Sequence, residues 1–352
     1  MENTANPLIS IIILNFNGGD LLLNCIESVY KTNYKNFEII VVDNKSSDKS
    51  HLRCKEKFQN IILIENSKNV GFCEGNNIGI KKANGKFIVI LNPDTEVTSS
   101  WLLELLNAYK INGENLYQPK ILSLYNKKEI QSTGNVIQLF GFGFTRGREE
   151  KDNNQYKKIE QICYPSGACI FTSIDVFKKI GLFDPFLFLY HDDLELGWRA
   201  SQIGIKSFFV PKSVIYHAES PSLKWTSKKF YWLERNRKYC LRTHYSKKSY
   251  NKMIFSLFLI DVIVWIFYLS KGFLGAKIRA ELDIWKNRNV IEEKFEELER
   301  KRIISDSEII KIFSDKINVP QKVTSGNMNR LLNFMLERLS KRVRAKICDK
   351  AD

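Results

Sequence analysis

The segment Phe87–Val97, FIVILNPDTEV, joins a run of five apolar residues to a turn that carries two carboxylates. The run Phe87–Leu91 predicts a strand buried on both faces, which is typical of parallel sheets. Pro93 cannot continue such a strand, so the turn begins there. Because ligands of open α/β sheets bind outside the carboxyl ends of the strands, the same segment predicts both the fold class and the position of a site.

Three further apolar runs precede this segment and alternate with helical patterns. Leu8–Leu14, Phe37–Val42 and Ile61–Ile64 are predicted strands. Between them, Asp20 is predicted to cap a first helix, and residues 46–48 supply cap residues for a second. Strands that alternate with helices indicate an α/β fold with a mainly parallel sheet.

Residues 110–162 give a weaker pattern, because they are polar and interrupted by glycine and aromatic residues. They predict loops and short strands, and Trp101–Tyr109 before them predicts a helix. The elements predicted after them are a strand at Gly167–Thr172, a helix at Ile174–Ile180, a helix from the acidic cluster 190–195 to about Gly204, and strands at Ser207–Val210 and Val214–Tyr216.

Charge divides the 352 residues into two parts. Residues 1–220 contain 25 basic and 24 acidic side chains, whereas residues 221–352 contain 29 and 15. We expect a globular domain over residues 1–222 and a basic, helical C-terminal region over residues 223–352. The excess of positive charge in that region indicates an anionic partner, either nucleic acid or a membrane surface. The sequence carries no zinc-finger, RRM-type or basic-zipper pattern, so nucleic acid is not expected.

The basic region begins with a mixture of cations, aromatic rings and apolar residues. Residues 224–252 hold ten Lys and Arg side chains and one acid, Glu234, which suits an anionic membrane interface. The apolar run 253–269 is 17 residues long with Asp261 near its middle, whereas a span needs about 20 residues and a central Asp costs roughly 2.5–3.5 kcal/mol. We expect a helix in the cytoplasmic leaflet; a span, or a helix buried on the first domain, are the alternatives. Residues 278–298 predict a second, amphipathic helix.

The seven cysteines are scattered and form no C-x-x-C pair. Such a set predicts reduced thiols, with no disulfide framework and no structural zinc. The first ten residues lack the basic and then apolar start of a secretory signal. We expect a protein in the cytoplasm, peripheral on the cytoplasmic face of the cell membrane. The sequence gives no indication of its oligomeric state.

Carboxylates follow several of the predicted strands. Asp43 and Asp94 each come after an apolar strand, and Asp192, Asp193 and Glu195 form a cluster further along. A single Asp at a strand end is commonly a helix cap or a turn former. Taken together, these carboxylates suit a divalent cation and a phosphorylated ligand, because Mg²⁺ is bound by one or two carboxylates plus substrate phosphates.

Gly71, Gly75 and Gly79 are spaced by four within residues 69–79. This spacing differs from the dinucleotide-binding motif and from the phosphate-binding loop that ends in Gly-Lys-Ser/Thr. Glycines four residues apart share one face of a helix and let a neighbouring backbone or a ligand approach closely. From the residues alone, tight packing and ligand approach both remain open.

A set of short motifs runs through the first 220 residues. They are LNFN at 14–17, VVDN at 41–44, N-x-G-F-x-x-G-x-N-x-G at 69–79, LNPDTEV at 91–97, SGA at 166–168, GLFD at 181–184 and YHDDLELGWR at 190–199. In order and spacing they resemble the family-2 glycosyltransferases, most of all the branch that contains bacterial rhamnosyltransferases. The resemblance covers roughly residues 7–220 and implies a GT-A type α/β domain that binds a nucleotide sugar.

The resemblance also implies how the donor is held. Asp43 corresponds to the aspartate that contacts the nucleotide base. Asp94 corresponds to the last carboxylate of the D-x-D-like element, which holds a divalent metal, Mn²⁺ or Mg²⁺, on the diphosphate. Glu96 and His217 are expected as further metal ligands, although His217 could also be a hydrogen-bonded strand-end histidine. The donor-binding residues expected are Asn15, Asn17, Asp43, Asn44, Asn69, Gly71, Phe72, Gly75, Asn77, Asn92 and Asp94.

Asp193 corresponds to the proposed general base of the family. Asp192 stands where the family usually has Glu, and Glu195 where it often has Asp, so Asp192 and Asp193 both remain candidates for the catalytic carboxylate. His191 lies beside this pair and has no assigned role. Two histidines are expected at the protein surface, His51 and His244.

The implied reaction moves a sugar from dTDP-rhamnose or a UDP-sugar to a hydroxyl of a glycan or lipid-linked acceptor, in cell-surface polysaccharide synthesis. A cation offsets the charge of the leaving diphosphate, and a carboxylate base contributes about 10²–10⁴-fold. One base without a covalent nucleophile implies inversion at the sugar carbon. The alternatives are a nucleotidyltransferase, whose basic glycine-rich loop is absent from residues 15–20, and a non-enzymatic carbohydrate-binding or scaffold protein.

Overall fold

The structure is a computed structural model that describes residues 6–219, 226–318 and 326–349. The chain forms two compact units. The first takes in Met1–Asn135, Thr145–Gly197 and Ile205–Ser220, and the second takes in Val136–Phe144, Trp198–Gly204 and Pro221–Asp352. The domain boundary predicted between residues 222 and 223 lies outside the described residues.

The first unit is built on a ten-stranded sheet, and the predicted α/β class is confirmed. The strands β1, β2, β3 and β4 are parallel to one another, and β11 is antiparallel to β4. The main order is β10-β12-β6-β11-β4-β1-β2-β3, with β5 paired to β12 and β7 to β6. The ten strands are β1 Ile9–Asn15, β2 Phe37–Asp43, β3 Ile62–Glu65, β4 Phe87–Leu91, β5 Thr95–Val97, β6 Leu116–Ser123, β7 Ile130–Ser132, β10 Glu160–Ile162, β11 Cys169–Ser173 and β12 Ser207–His217. Two further strands, β8 Asn135–Ile137 and β9 Gly143–Thr145, form a separate two-stranded sheet.

Helices cover the sheet, and six of them begin within the described residues of this unit. The strands β1 and β4 are buried on both faces, as their unbroken apolar runs predict. The amphipathic helices bury one side each; Trp101 and Leu105, for example, are fully buried in the core. The helices are α1 Gly19–Tyr30, α2 Ser50–Lys57, α3 Gly71–Lys82, α4 Trp101–Asn112, α5 Ile174–Ile180 and α6 Asp192–Gln202.

Two helix starts differ from their predictions. Helix α1 begins at Gly19, so Asp20 lies within its first turn, where the carboxylate pairs with Arg53 at 2.8 Å instead of capping the helix. Helix α2 begins at Ser50. Asp48 nevertheless accepts a hydrogen bond from the Ser50 backbone N–H at 3.0 Å, as a capping side chain does.

Strand β6 is the main element that the sequence pattern fails to predict. It is an eight-residue buried strand within residues 116–123, where only loops and short strands were expected. Its apolar run is broken by Gln118 and Lys120, which are buried but satisfied: the Gln118 amide bonds Ser132, and the Lys120 ammonium pairs with Asp152. Buried polar residues that find distant partners erase the hydrophobic pattern of a strand.

Strand β12 joins the two segments that the sequence predicts separately. It runs from Ser207 to His217, and its pairing with β6 shifts register between Val210 and Val214. Pro211 lies inside this irregularity. Proline has no backbone N–H, so in a regular part of the ladder it would cost one hydrogen bond. The interruption in the sequence is therefore a bulge within one strand.

The described residues of the second unit after Thr226 are mainly helical, as expected for the basic region. The predicted apolar helix is part of the longer α8, the one helix among the described residues that is long and apolar enough to cross a membrane. The single helix predicted over residues 278–298 is wrong, because the chain turns at Asn287 between two shorter helices. The helices are α7 Ser227–His244, α8 Lys247–Ser270, α9 Leu274–Lys286, α10 Arg288–Lys301, α11 Asp306–Ile309 and α12 Gly326–Cys348.

None of the seven cysteines, which all lie within the described residues, is in a disulfide. Six are buried, and Cys348 is exposed.

Candidate active site

Four strands of the first unit end at the same edge of the sheet. Strands β1, β2 and β4 are parallel. Strand β12 runs in the same direction as β4, because it is parallel to β6, and β6 and β4 both pair antiparallel with β11. The predicted residues Asn15, Asp43, Asn92 and His217 are at or directly after these carboxyl ends, where ligands of such sheets bind.

Asn15 and Asp43 form one hydrogen-bonded unit between the ends of β1 and β2. The Asn15 side-chain amide donates to Asp43 Oδ1 at 2.7 Å and to Ser50 Oγ at 3.0 Å. Asp43 also accepts from the Ser46 backbone N–H at 2.8 Å and from the Ser46 hydroxyl at 2.6 Å. Asn15 is fully buried, so its contribution is to fix the Asp43 carboxylate.

His51 lies beside this unit, and its prediction as a surface residue is wrong. The ring is buried, with Nδ1 at 3.3 Å from Asp43 Oδ1 and Nε2 at 3.3 Å from Glu65 Oε1. Helix α2 carries His51 under the end of β2, and β3 presents Glu65 from the other side. Only this packing of helix on sheet brings the three side chains together.

The exposed Asn17 ties the loop after β1 to the loop after β2. Its side-chain oxygen accepts from the backbone N–H groups of Ser47 at 2.8 Å and Asp48 at 3.3 Å. Its own backbone N–H donates to Ser46 Oγ at 2.9 Å. Asn17 has a φ of 54°, a conformation that Asn adopts more readily than most residues.

Asn44, Asn69 and Gly71 organise the start of α3. The Asn44 amide donates to the Gly71 carbonyl at 3.0 Å and to Asn69 Oδ1 at 3.3 Å, and Asn69 Oδ1 accepts from the Gly71 N–H at 2.9 Å. Gly71 has a φ of +85°, and a Cβ there would lie 2.5 Å from a ring carbon of Phe188. Only glycine fits this position.

Phe72 and Asn77 connect α3 to the loop before the acidic cluster. The Phe72 N–H donates to the Phe188 carbonyl at 2.7 Å, and its ring packs edge-on against Phe183. Asn77 bonds both backbone groups of Phe183, donating at 2.8 Å and accepting at 3.0 Å. Asn77, predicted to bind the donor, is thus occupied in holding this loop.

The glycine spacing of α3 serves packing against β1. A Cβ at Gly75 would lie 2.4 Å from a methyl group of Leu14, and one at Gly79 would lie 2.4 Å from a methyl group of Ile12. The Cβ positions of both glycines therefore point at side chains of β1. Of the two alternatives left open by the sequence, the geometry supports tight packing at Gly75.

Asp94 and His217 come together beside the end of β4. Asp94 Oδ1 lies 3.1 Å from His217 Nε2, and the Asn92 amide lies 3.4 Å from the same nitrogen. The Asp94 carbonyl accepts from the Ala218 N–H at 2.9 Å, which joins the two segments through the backbone as well. The sequence alone separates these residues by more than 120 positions.

Gln131 fixes which nitrogen of His217 carries the proton. Its amide nitrogen donates to the His217 backbone carbonyl at 2.8 Å, and a carbonyl can only accept, so the Gln131 side-chain oxygen must face His217 Nδ1. That contact is 2.9 Å, and Nδ1 is therefore the donor. In the neutral ring, Nε2 then presents a lone pair toward Asp94.

A divalent cation fits between Asp94 and His217 by the chemistry of these donors. In the neutral ring, the Asp94 carboxylate oxygen and the His217 Nε2 lone pair are both acceptors at 3.1 Å from each other, and one cation can bind both. Metal-bound histidines commonly donate their other N–H to a fixed acceptor, as His217 does to Gln131. Glu96 is placed differently. In the β5–β12 pairing it is opposite Tyr216, whereas His217 is opposite Thr95. Because successive side chains of a strand point to opposite faces, Glu96 and His217 lie on opposite faces of the sheet.

The acidic cluster follows a backbone with unusual conformations. Phe188, Tyr190 and His191 have φ values of 62°, 66° and 61°. Such conformations cost of order 1–3 kcal/mol for each non-glycine residue, and they persist at sites where the surrounding structure imposes them. The loop delivers Asp192 and Asp193 to the first turn of α6.

Asp193 and Asp192 have different environments. Asp193 accepts from the backbone N–H groups of Gly167 at 3.0 Å and Leu194 at 2.8 Å. Burial raises its pKa to about 6, and these two N–H groups limit the rise. For Asp192, burial and then the neighbouring charge of Asp193 raise the pKa well above its usual range. Asp193 is therefore the more readily ionised of the two.

Asp193 is also connected to the end of β4. Its carboxylate holds the Gly167 N–H, while the next carbonyl, that of Ala168, accepts from the Asn92 N–H at 3.0 Å. The loop 166–168 thus bridges the carboxylate of α6 and the turn that carries Asp94. Neither Gln131 nor Gly167 was singled out as a site residue by the sequence, because each contributes through contacts with residues far along the chain.

Another group of carboxylates, in the second unit, has the spacing of a metal site: Glu234, Asp261 and Glu281. The Lys277 ammonium lies 2.6 Å from a carboxylate oxygen of each. Burial alone would raise the pKa of Glu234, but Arg237 and Lys277 outweigh it and hold that pKa below its usual range. The cation at the centre of this group is a lysine, so the cluster is an ion network and no metal site is inferred there.

His244, expected at the surface, is fully buried in the second unit. Its Nδ1 lies 2.8 Å from the Thr243 hydroxyl, and its ring packs against Trp198. Its backbone carbonyl accepts from Gln202 and Arg302. The surface prediction is therefore wrong, because helix α7 is enclosed by parts of the chain that a local pattern does not include.

The mainly parallel sheet and its covering helices have the architecture of a GT-A type domain. The profile of glycosyl transferase family 2 matches residues 10–181, which are similar to a domain of that family. A low-salt glycan biosynthesis hexosyltransferase, Agl10 of Haloferax volcanii, is 26% identical over 210 residues. The match covers 58% of this chain and 65% of Agl10, less than two thirds of that relative.

Solved structures share the fold. GalNAc-T7, determined with UDP, GalNAc and Mn²⁺, has a TM-score of 0.59 and 19% identity, covering 72% of this chain and 50% of that one. S. aureus TarS 1-349, determined with UDP-GlcNAc, has a TM-score of 0.52 and 14% identity, covering 96% and 90%. Identities this low establish similarity of fold, and the predicted GT-A type is confirmed.

Proposed function

We propose that the protein transfers a sugar from a nucleoside-diphosphate donor to a hydroxyl of a glycan or lipid-linked acceptor in cell-surface polysaccharide synthesis. One observation carries the proposal. The Asp94–His217 pair and the Asp193 carboxylate are joined through loop 166–168 at the carboxyl edge of the sheet, most of which lies within the family-2 match. The named biosynthetic relative Agl10 supports the pathway class.

The donor occupies the edge from β2 to β4 in this proposal. Asp43, fixed by Asn15 and Ser46, contacts the nucleotide base, and the asparagines Asn44 and Asn69 shape the adjoining loop. dTDP-rhamnose and UDP-sugars are the candidate donors. UDP and UDP-GlcNAc are bound by the structural neighbours GalNAc-T7 and TarS.

Asp94 and His217 would hold a divalent cation, Mn²⁺ or Mg²⁺, on the donor diphosphate. The cation would supply charge compensation for the leaving group. Mn²⁺ accompanies UDP in the GalNAc-T7 structure, and the facing acceptors of Asp94 and His217 suit it. Glu96 is left out of this set, because its side chain faces the other side of the sheet.

Asp193 is the proposed general base, and it takes the proton of the acceptor hydroxyl on a carboxylate oxygen. The acceptor oxygen forms a bond to the sugar carbon while the bond from that carbon to the phosphate oxygen breaks, and the nucleoside diphosphate leaves. A single displacement of this kind inverts the sugar carbon. A base with a pKa of about 6 is ionised at neutral pH and still basic enough to accept the proton.

The proposed location is the cytoplasmic face of the cell membrane, with an anionic membrane surface as partner of the C-terminal region. Residues 1–222 form the catalytic domain in this proposal, and residues 223–352 the membrane-associating region. A lipid-linked acceptor would be reached at that surface.

The donor proposal is tested by thermal shift with UDP-, dTDP- and GDP-sugars, each with Mn²⁺, Mg²⁺ or EDTA. One donor class should raise the melting temperature only with metal, and the same donor should be consumed in a turnover assay. Asp94→Ala should lose this metal-dependent stabilisation, and Asp175→Asn is its control, because Asp175 is a half-exposed carboxylate of the same unit that pairs with Lys178. Donor stabilisation that is equal in EDTA, or absent with all three classes, contradicts the proposal.

A further inference from the structure

Helix α8 has one buried face and one exposed apolar face. The buried positions recur every three to four residues and pack against α9 and α12. The opposite side exposes large apolar side chains, each 42–65% accessible. They are Ile254, Phe255, Phe258, Val262, Ile266 and Leu269. A row of six such residues along 24 residues of helix is unlike the scattered apolar residues of ordinary protein surfaces.

Helix α9 adds a second exposed apolar row. It buries Ala276, Ala280 and Ile284, and it exposes Leu274, Ile278, Leu282 and Trp285. Helices α8 and α9 pack against each other, and the Lys277 ammonium bonds Asp261 of α8 at 2.6 Å. The ten exposed residues of the two helices are called the apolar face below.

Asp261 argues against a membrane span by α8. It is bonded to Lys277 and, at 3.0 Å, to Lys238, within the ion network that includes Glu234 and Glu281. This flank of α8 is therefore covered by charged groups of α7 and α9. If α8 spanned the bilayer, the charged groups that cover this flank would enter the hydrocarbon with it, where charges are costly. Helix α8 offers lipid one side only.

The charges around the apolar face indicate its partner. Lysines lie at both ends of α8, Lys247, Lys248 and Lys252 in its first turns and Lys271 just after it. Arg279 and Lys286 lie on α9. Anionic lipid headgroups attract such cations while the acyl region accepts the apolar side chains. A second copy of the chain would instead bring equal positive charge against this surface.

We propose that the apolar face docks into one leaflet of an anionic bilayer, with α8 and α9 lying along the membrane plane. The inference deepens the membrane partner proposed above and is independent of the transfer chemistry. The ten residues of the apolar face make the contact. Helix α8 then lies in the leaflet and neither spans the membrane nor packs on the catalytic domain.

The test is sedimentation of the full chain with vesicles of phosphatidylcholine containing 30% phosphatidylglycerol, and with phosphatidylcholine alone, at physiological salt. The double variant Phe255→Asp/Phe258→Asp should lower the partition coefficient at least 100-fold, because both rings are about two-thirds exposed and would enter the leaflet. The matched control Ile111→Asp/Tyr125→Asp, at the more exposed apolar residues of the first unit, should bind as the wild type does.

Depth and orientation are read from Trp285. Its fluorescence, taken as the difference from a Trp285→Phe variant, should shift to the blue with anionic vesicles and be quenched by lipids brominated near the headgroup more than by lipids brominated near the chain ends. Stronger quenching at the chain ends, together with release by detergent alone and not by alkaline carbonate, would indicate a span and overturn the proposal.

Two further outcomes also overturn it. Equal binding of the Phe255/Phe258 variant and the wild type would show that the apolar face is not the contact. If the wild type does not bind vesicles but forms a dimer, and the variant does not dimerise, the apolar face is a self-association surface. Metal-dependent donor binding, measured in parallel, should be the same in all variants, so failure of docking and failure of the transferase proposal remain distinguishable.

Discussion

Gln131→Leu is the substitution that most directly examines the arrangement around His217. The change keeps the side-chain volume similar and removes two hydrogen bonds, those of 2.8 Å and 2.9 Å to the carbonyl and Nδ1 of His217. The ring is then free to carry its proton on Nε2, where no metal can bind. Loss of such a partner typically weakens metal affinity 10- to 100-fold, which is about 1.4–2.7 kcal/mol.

The assay is Mn²⁺ binding to the full chain, followed by electron paramagnetic resonance without donor, so that the readout does not depend on turnover. Gln131→Glu is the informative companion, because a carboxylate can still accept from Nδ1–H and should keep the affinity within about threefold or raise it. Gln155→Leu changes an exposed glutamine of the same unit and should have no effect.

Wild-type Mn²⁺ affinity in Gln131→Leu, together with weaker Mn²⁺ binding in Asp94→Ala, would show that Gln131 does not control the His217 ring. Equal loss of Mn²⁺ affinity in Gln131→Leu and Gln131→Glu would also contradict this role, since a change of side-chain shape would then explain both. A melting temperature within a few degrees of the wild type in both variants shows that the fold is kept.

Four other outcomes are expected. Asp94→Ala should abolish transfer and metal-dependent donor binding, measured by turnover and calorimetry; full activity in excess EDTA would falsify the metal role. Asp193→Asn should lower turnover by about 10² or more with donor affinity nearly unchanged. Wild-type turnover should fall as pH drops through about 6, where the Asp193 carboxyl becomes protonated at its pKa. Loss of turnover in Asp192→Asn but not in Asp193→Asn would assign the base to Asp192. Asp192→Asn should raise the melting temperature at pH 8 and lose this advantage toward pH 4, because a carboxyl whose pKa is raised by folding destabilises the native state only above its pKa in the unfolded chain. Lys277→Met should lower the unfolding free energy by up to about 3 kcal/mol, read by urea denaturation, since it removes the buried ammonium from Glu234 while Arg237 still pairs with that carboxylate.

Local patterns were sufficient for the strands that frame the site. The runs before Asn15, Asp43 and Asn92 are continuous and β-branched, and a strand buried on both faces requires that composition whatever surrounds it. In a parallel sheet, the polar residues that follow such a strand lie at the carboxyl edge of the sheet. The positions of Asp43 and Asp94 at the sheet edge therefore follow from the sequence.

The same approach failed where burial depends on a distant partner. Strand β6 contains Gln118 and Lys120, whose partners Ser132 and Asp152 lie beyond the strand, so its pattern is polar although the strand is buried. The sequence predicted His51 at the surface, because nothing within α2 indicates that β2 and β3 close over it. In each case the environment of the residue is made by other segments.

The sequence by itself determined the α/β class, the carboxylates at the strand ends, the family resemblance and the basic, apolar character of the C-terminal region. Only the tertiary structure decided that Gln131 sets the proton of His217, and that Asp261 turns one side of α8 toward Lys277 and leaves the other side apolar and exposed. The physical reason is the range of the interactions. Hydrophobic periodicity acts between neighbours along the chain, whereas hydrogen bonds and ion pairs act between whichever groups the completed fold brings within about 3 Å.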